Sequence, residues 1–449
     1  MEHIIEPLKK EGNRTLPSED DHSSTNGLEH VKGLLTSGAI KETTDLEQVF
    51  EFLLSGNTVV LLDGYSTALV SSTKGGDERS VSEPSTQTVI RGPRDSFVES
   101  ISTNIALIRR KINNVDLWLE TMHIGKMTKT KVGMMYIKGV AEEEIVSEIR
   151  SRLSKINIDS ILESGYIEEL IQDKTFTPFP TLQNTDRPDG AAAALLEGRI
   201  AILVDGTPFV LLAPALFIQF FQASEDYYQR WDIASLIRIL RYISFGISML
   251  APSVYIAVTT FHQELVPTPL ITNLAAQREG VPFPAFVEAL LMEVMFEVLR
   301  EAGTRMGRAI GTSISIVGTL VIGQAAVEAG MVSAAMVIVV SSTAISNFVS
   351  PTFNMGISAR MLRFILMLLS ATLGLYGVTL GIIVIVLHLC SLRSFGVPYM
   401  SPIAPFSTND QEDVLIRLPR WMMRLRPKSL NPSNPIREGT NKLKKGNTP

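Results

Sequence analysis

The 449-residue chain has a single cysteine, Cys390. A lone thiol forms no intramolecular disulfide, so the polar part of the chain does not rely on oxidised staples. Histidine is scarce as well. His3, His22, His30, His123, His262 and His388 are scattered, with no H-E-x-x-H and no Cys/His metal spacing. There is no phosphate-cradling Gly-rich loop with a lysine, and no serine stands in a G-x-S-x-G elbow. These gaps remove the common enzyme classes, and the expectation is a non-enzymatic chain without cofactor or metal. The opening residues Met1-Glu2-His3-Ile4-Ile5-Glu6 have neither the basic nor the apolar region of a signal peptide. A cytoplasmic polar domain is expected, with the first apolar run directing membrane insertion.

The most informative absence is that of charge. Four long runs hold no Asp, Glu, Lys or Arg: Tyr242–Phe261, Ile310–Val327, Met331–Ser350 and Phe364–Leu392. A helix rises about 1.5 Å per residue, so about 20 apolar residues cross a bilayer core of roughly 30 Å. Four such runs in one third of the chain point to a polytopic membrane domain rather than to soluble core helices. The middle two are separated only by Glu328-Ala329-Gly330, a tight antiparallel turn. The net charge of −5 therefore averages a charged N-terminal half with a nearly uncharged membrane half.

Four segments follow: a disordered polar tail at 1–43, a cytoplasmic α/β domain at 44–235, a helical membrane domain at 236–395 and a basic cytoplasmic tail at 396–449. The first tail is too polar to offset its ordering entropy. In the second segment, Leu46, Val49, Phe50, Leu53 and Leu54 recur at helical spacing before Gly56, and an Asp63-Gly64 hairpin follows. The pattern returns as Leu195-Leu196-Glu197-Gly198, a strand from Ile200, then Asp205-Gly206 and a second strand. This reads as an internal hairpin repeat. Asp63 and Asp205 are turn formers, not a catalytic pair. Between the copies, Arg91-Gly92-Pro93-Arg94-Asp95 breaks a strand, and Asp95 or Ser96 is placed to cap a helix from Phe97 to about Ile112. A phosphate site at Arg91 and Arg94 is the weaker reading. Helices are also expected over about 141–156 and 161–172, and a strand over 131–138.

Asp226-Tyr227-Tyr228-Gln229-Arg230-Trp231 places aromatics and arginine at the membrane entry. Arg417, Arg420, Arg424, Arg426 and Lys428 form a basic amphipathic segment suited to an anionic leaflet, and nucleic acid is the weaker partner. With both ends cytoplasmic, an even crossing number is required. Four crossings plus a non-spanning helix over Phe283–Arg300 satisfy it, with Phe364–Leu392 as one tilted span about 43 Å long. The alternative is that the helix crosses, which puts Arg360 and Arg363 inside by the charge rule, and that the last run, broken by Gly374, Gly377 and Gly381, folds back.

Two sites stand out in the membrane region. Ser333, Val337, Ser341, Ala344 and Asn347 share one helical face. They are either small residues for close helix packing or, in several copies, a pore wall with Val337 as a constriction. Glu293, Glu297 and Glu301 share another face, either a solvated stripe or an acidic vestibule that concentrates cations.

Ile90–Phe97 with Asn104–Lys111, Val204–Phe209, Ser224–Arg230 and Ser350-Pro351 together resemble the A subunit of GerA-type spore germination receptors. The resemblance runs from Asp45 to Pro427. It implies two α/β subdomains before the membrane domain and residence in the inner spore membrane. The implied partners are a transporter-like, germinant-binding B subunit and a lipoprotein C subunit. It further implies a ring, a pentamer, that releases monovalent cations when germinant binds. A non-conducting scaffold coupling a sensor to other germination machinery is the alternative. A transporter is disfavoured, since only Pro252 interrupts an apolar run.

Overall fold

The computed structural model describes residues 31–32, 40–54, 56–71, 84, 87, 89–305, 323–430 and 432–437. The expectations for most of 1–43, for the loop at 72–88 and for most of the run Ile310–Val327 lie outside these residues.

The first unit is β1 (Ile40–Thr43), α1 (Leu46–Leu54), β2 (Thr58–Val60) and β3 (Ala68–Ser71), with sheet order β1-β3-β2. Then come α2 (Ile101–Lys111), β4 (Leu117–Ile124), β5 (Thr130–Ile137), α3 (Glu143–Lys155) and α4 (Ser164–Ile171). They are followed by β6 (Gln183–Thr185), α5 (Pro188–Leu196), β7 (Ile200–Val204) and β8 (Val210–Ala213). The second sheet is antiparallel throughout, in the order β4-β5-β7-β8-β6. Its β6-β8-β7 portion has the order of β1-β3-β2, and each copy places a helix before the middle hairpin. The stops after α1 and α5, Gly56 and Gly198, both take positive φ, at 82° and 95°. This is a mixed α/β domain of two subdomains.

The strands of the larger sheet are apolar at consecutive positions because both faces are covered. Ile200, Ile202 and Val204 pack with α3 and α4, while Ala201 and Leu203 pack with α2 and α5. Helix α2 starts four residues later than the sequence suggests. Phe97 N–H and Ser96 Oγ both donate to the Asp186 carbonyl (each 2.9 Å), and Asn104 bonds both backbone groups of Val98. Those bonds hold 96–100 extended, and Asp205 Oδ1 accepts from Ile101 N–H (3.0 Å), so a distant carboxylate caps the helix. Asp95 pairs instead with Lys111.

In α4, Glu168 is half-buried. Burial, with the Glu163 carboxylate adding to it, pushes its pKa up to about 7. The folded chain thus keeps a proton that the unfolded chain releases. The stability this contributes is fully present below the unfolded carboxylate pKa and is lost as pH rises through about 7. Urea unfolding at pH 4 and pH 8 is expected to show Glu168→Gln more stable than wild type only at pH 8, by about 1–3 kcal/mol.

The helical half comprises α6 (Trp231–Thr260), α7 (Thr268–Arg278), α8 (Ala285–Arg305), α9 (Gly323–Glu328), α10 (Ala334–Phe348) and α11 (Phe353–Ser391). By length and composition, α6 and α11 are apolar enough to cross a membrane. The second is not one rod. Gly374 has φ 61° and ψ −142°, outside the helical region, and the chain reverses there. Gly377 lies against the Leu369 carbonyl and Gly381 against the Leu366 side chain, so neither has space for a Cβ. Ser358 Oγ donates to the Pro178 carbonyl in the first leg, and His388 Nε2 lies 2.9 Å from Thr177 Oγ1 in the second. Both ends of α11 therefore meet the α/β domain. Gly374 sits at the distal end, where an added Cβ would lie 2.8 Å from the His262 ring. The expected single span is instead a hairpin with legs of about 30 and 25 Å. Its three small glycines allow the legs to approach closely.

The described part of the tail packs back onto the α/β domain. Val397, Val414 and Leu430 complete the core on the α3/α4 face of the sheet. Arg417 donates to the Gln229 carbonyl and Arg437 pairs with Glu197, while Arg420 and Arg424 are exposed.

Candidate functional site

The junction between the α/β domain and the bundle is built from motifs far apart in sequence. Gly92 has φ 145°, and an added Cβ would lie 2.7 Å from the Tyr228 ring. Tyr228 Oη donates to Asp189 Oδ2 (2.7 Å), and burial together with that bond drives the phenol pKa well up. Asp189 in turn is held by Arg187 through two bonds, of 3.0 and 2.7 Å. Arg187 also donates to the carbonyls of Gln87 (3.1 Å) and Pro93 (2.9 Å). The backbone of the Arg91–Asp95 segment is thereby fixed to the aromatic segment before α6. Arg91 itself is exposed. Gly206 N–H donates to the Glu99 carbonyl (2.8 Å), so the Asp205-Gly206 turn locks the other end of the same segment. Gly92→Ala is expected to cost about 1–3 kcal/mol, from strain at a glycine-only φ and from the ring contact. Thermal unfolding should show Tyr228→Ala in the same chain relieving only the contact.

Beside this lies a fully buried charge cluster. Asp226 receives Arg238 (3.2 Å) and Arg241 (2.7 Å), and all three side chains are at most 5% exposed. Asp413 of the tail accepts from Arg238 Nη1 (2.7 Å) and from Tyr227 Oη (2.6 Å). Arg241 also donates to the Phe221 carbonyl (3.1 Å). One cluster thus ties the turn before α6, the first three turns of α6 and the tail. Buried guanidinia need such partners, because desolvation costs several kcal/mol per ion.

Inside the bundle, the Glu293/Glu297 face of α8 meets the first leg of α11. Glu293 is fully buried and pairs with Arg363, whose Nε donates to the Ser248 carbonyl of α6 (2.7 Å). Glu297 pairs with Arg360 (2.6 Å) and Arg300 (3.3 Å). Glu288 pairs with Arg278 (3.2 Å) and accepts Ser333 N–H (3.0 Å). In a single chain Glu293 therefore faces no open vestibule. Arg363 and Arg360, one helical turn apart on α11, answer Glu293 and Glu297, one turn apart on α8. Glu301 is exposed.

Helix α10 is held along one side. Met336, Val340, Thr343 and Ala344 are buried, with Met336 and Val340 packed in the cluster around Ile256 of α6 and Met292 of α8. Ser333 is its N-cap, accepting Met336 N–H (3.3 Å). Of the five residues grouped by sequence spacing, Ser333 and Ala344 are thus withdrawn into the chain, the first by capping and the second by packing. Val337, Ser341 and Asn347 remain half-exposed, and Asn347 Oδ1 has no partner among the described residues. The opposite side is bare: Ile338, Ile345 and Phe348 are 67%, 66% and 70% exposed. Among the described residues, no group of three His, Cys, Asp or Glu is placed to hold a metal.

The family model described as Bacillus/Clostridium GerA spore germination protein matches residues 1–429. The chain belongs to the GerA family. Spore germination protein KA of Bacillus subtilis is 54% identical over 98% of this chain and 79% of its own length. Spore germination protein A1 of the same organism is 44% identical over 92% and 85%. The crystal structure of the N-terminal domain of the A subunit of the Bacillus megaterium spore germinant receptor GerK3 is 45% identical. It covers 49% of this chain and 78% of that chain, with a TM-score of 0.36.

In this GerA-family chain, the sequence marks the junction motifs but not their partners. Arg187 and Asp189 stand two apart at the start of α5, a spacing shared with many surface pairs. Arg360 and Arg363 signal no more than membrane orientation when taken alone. Their i, i+3 spacing nonetheless fits the i, i+4 spacing of Glu293 and Glu297 on a facing helix.

Proposed function

We propose that this GerA-family A subunit assembles into a ring in the inner spore membrane and conducts monovalent cations when germinant binds a partner. The partners are the transporter-like B subunit and the lipoprotein C subunit of the same receptor, with the ring a pentamer. The observation that carries this reading is the one-sided packing of α10. A helix that is buried on Met336 and Val340 and bare on Ile338 and Ile345 needs neighbours that the described residues of one chain do not provide. Copies around an axis give it those neighbours and bring Val337 and Ser341 toward a shared lumen, with Val337 as the apolar constriction.

The hairpin in α11 supports an even crossing number with both ends on one side. Helices α6, α8 and α10 and the two legs of α11 run between the same two ends of the bundle. The charge-free run Ile310–Val327 has the length a sixth crossing needs. Germinant binding opens the ring only if the partner binds the open state better than the closed one.

The test is potassium release from liposomes holding the A, B and C subunits together. Germinant is expected to trigger release from the complete complex and not from one lacking the A subunit. Silence from a complete, germinant-binding complex would replace the channel by the non-conducting scaffold.

A further inference from the structure

A cavity of about 800 Å³ opens at the junction, between α5, the turn before α6, the proximal ends of α6 and α10, and the tail. Its wall carries six arginines and three carboxylates, a surplus of positive charge. Arg187 and Arg241 are neutralised by the pairs described above, and Arg437 by Glu197 (3.0 Å). The other three have no carboxylate partner among the described residues.

Arg199 is 4% exposed and bonds only neutral oxygens: the Pro214 carbonyl (2.8 Å), Gln183 Oε1 (2.9 Å) and, weakly, the Leu212 carbonyl (3.4 Å). A guanidinium has five N–H donors, so two remain. Burial lowers its pKa to about 10, a desolvation that the charge of the Glu197 carboxylate offsets only in part. Arg426 donates through Nε to the Leu196 carbonyl (2.8 Å) and through Nη1 to the carbonyls of Asn434 (2.9 Å) and Ile436 (2.7 Å). Its Nη2 group carries no bond to the described residues. Arg420 is exposed at the cavity mouth.

A buried cation is retained when something completes it, because an unpaired buried charge costs several kcal/mol. The planar forks of Arg199 and Arg426 suit the oxygens of a phosphate, and Arg420 adds charge at the entrance. The volume far exceeds one phosphate and matches the range of small-molecule sites. We propose that this cavity binds a phosphate-bearing anion, with Arg199, Arg420 and Arg426 as its ligands. The site joins the α/β domain, the bundle and the tail, so an anion held there stabilises the arrangement in which the three are docked. The inference does not depend on the chain conducting ions.

A soluble metabolite and a lipid headgroup both supply this chemistry, and the experiment separates them. The full chain is placed in zwitterionic nanodiscs and titrated with inorganic pyrophosphate against chloride at matched ionic strength, while its thermal midpoint is followed. A parallel set uses nanodiscs containing phosphatidylglycerol. A rise in midpoint from either source is expected, from pyrophosphate for a soluble ligand and from the lipid alone for a headgroup. Arg420→Gln breaks no side-chain bond among the described residues and is expected to weaken the effect about tenfold. Arg426→Gln should weaken it further. No stabilisation from either source, or the same stabilisation in wild type and both variants, overturns the site.

Discussion

Asp226→Ala is expected to lower the stability of the folded chain by about 3–5 kcal/mol, the largest effect of any single change at the junction. The carboxylate answers two buried arginines at once, Arg238 and Arg241. Its removal leaves Arg238 only Asp413, which is itself one-fifth exposed, and leaves Arg241 with a 3.7 Å approach from Glu225. Neither substitute restores the lost bonds. Asp226→Asn keeps the shape but not the charge and should fall between. Thermal unfolding in nanodiscs reads the difference, and limited proteolysis of the tail reads its cause. Because Asp413 shares Arg238, the tail should be cleaved faster in Asp226→Ala than in wild type. An unchanged midpoint would mean that the buried cluster does not hold the junction together.

Glu293→Ala is expected to be comparably severe, about 3–5 kcal/mol, because it strands Arg363 inside the bundle. Arg363 still holds the Ser248 carbonyl, but a carbonyl does not neutralise a guanidinium in a low dielectric. The Glu293→Leu/Arg363→Met double variant should recover most of the loss, since apolar pairs of similar volume often replace buried ion pairs without penalty. Detergent-resistant folding, followed by fluorescence-detected size exclusion, separates the cases. A double variant as damaged as either single one would show that the pair is needed for more than charge balance, through its link between α6, α8 and α11.

These two sites show what is legible in the sequence and what is not. The apolar run Ile200–Val204 and its Asp205-Gly206 turn declare a buried strand and a hairpin, because backbone and side-chain signals agree there. The acidic stripe of α8 and the arginines of α11 are each visible, but their pairing depends on where α11 runs. That depends on Gly374, one glycine among several in a charge-free stretch with no Asp, Asn or Pro to mark a turn. Glycine is common in membrane helices, so composition does not distinguish a reversal from a close helix contact. Asp226 is equally visible, as part of an aromatic and basic entry to the membrane. Its burial depends on the closure of Tyr227 onto Asp413, across 186 residues, which no local pattern encodes. The tail hides part of its role for the same reason: its Leu, Trp and Arg alternation suits a lipid surface, and Trp421, Met422 and Leu425 are exposed, but no local pattern marks that Val414 and Leu430 on either side fill the open face of the sheet. On α10, the helical face drawn from spacing alone includes Ser333, which stands at the cap and not on the face.

The central claim is that copies of α10 enclose an ion path narrowed at Val337. Its most direct test is the unitary conductance of the reconstituted receptor in planar bilayers, with Val337→Ala and Val337→Phe compared at equal oligomer size. The account predicts that Ala raises the conductance and Phe lowers or abolishes it, while assembly and germinant binding stay intact. A conductance unchanged by both substitutions would contradict it and place the ion path, if the receptor conducts, in another subunit.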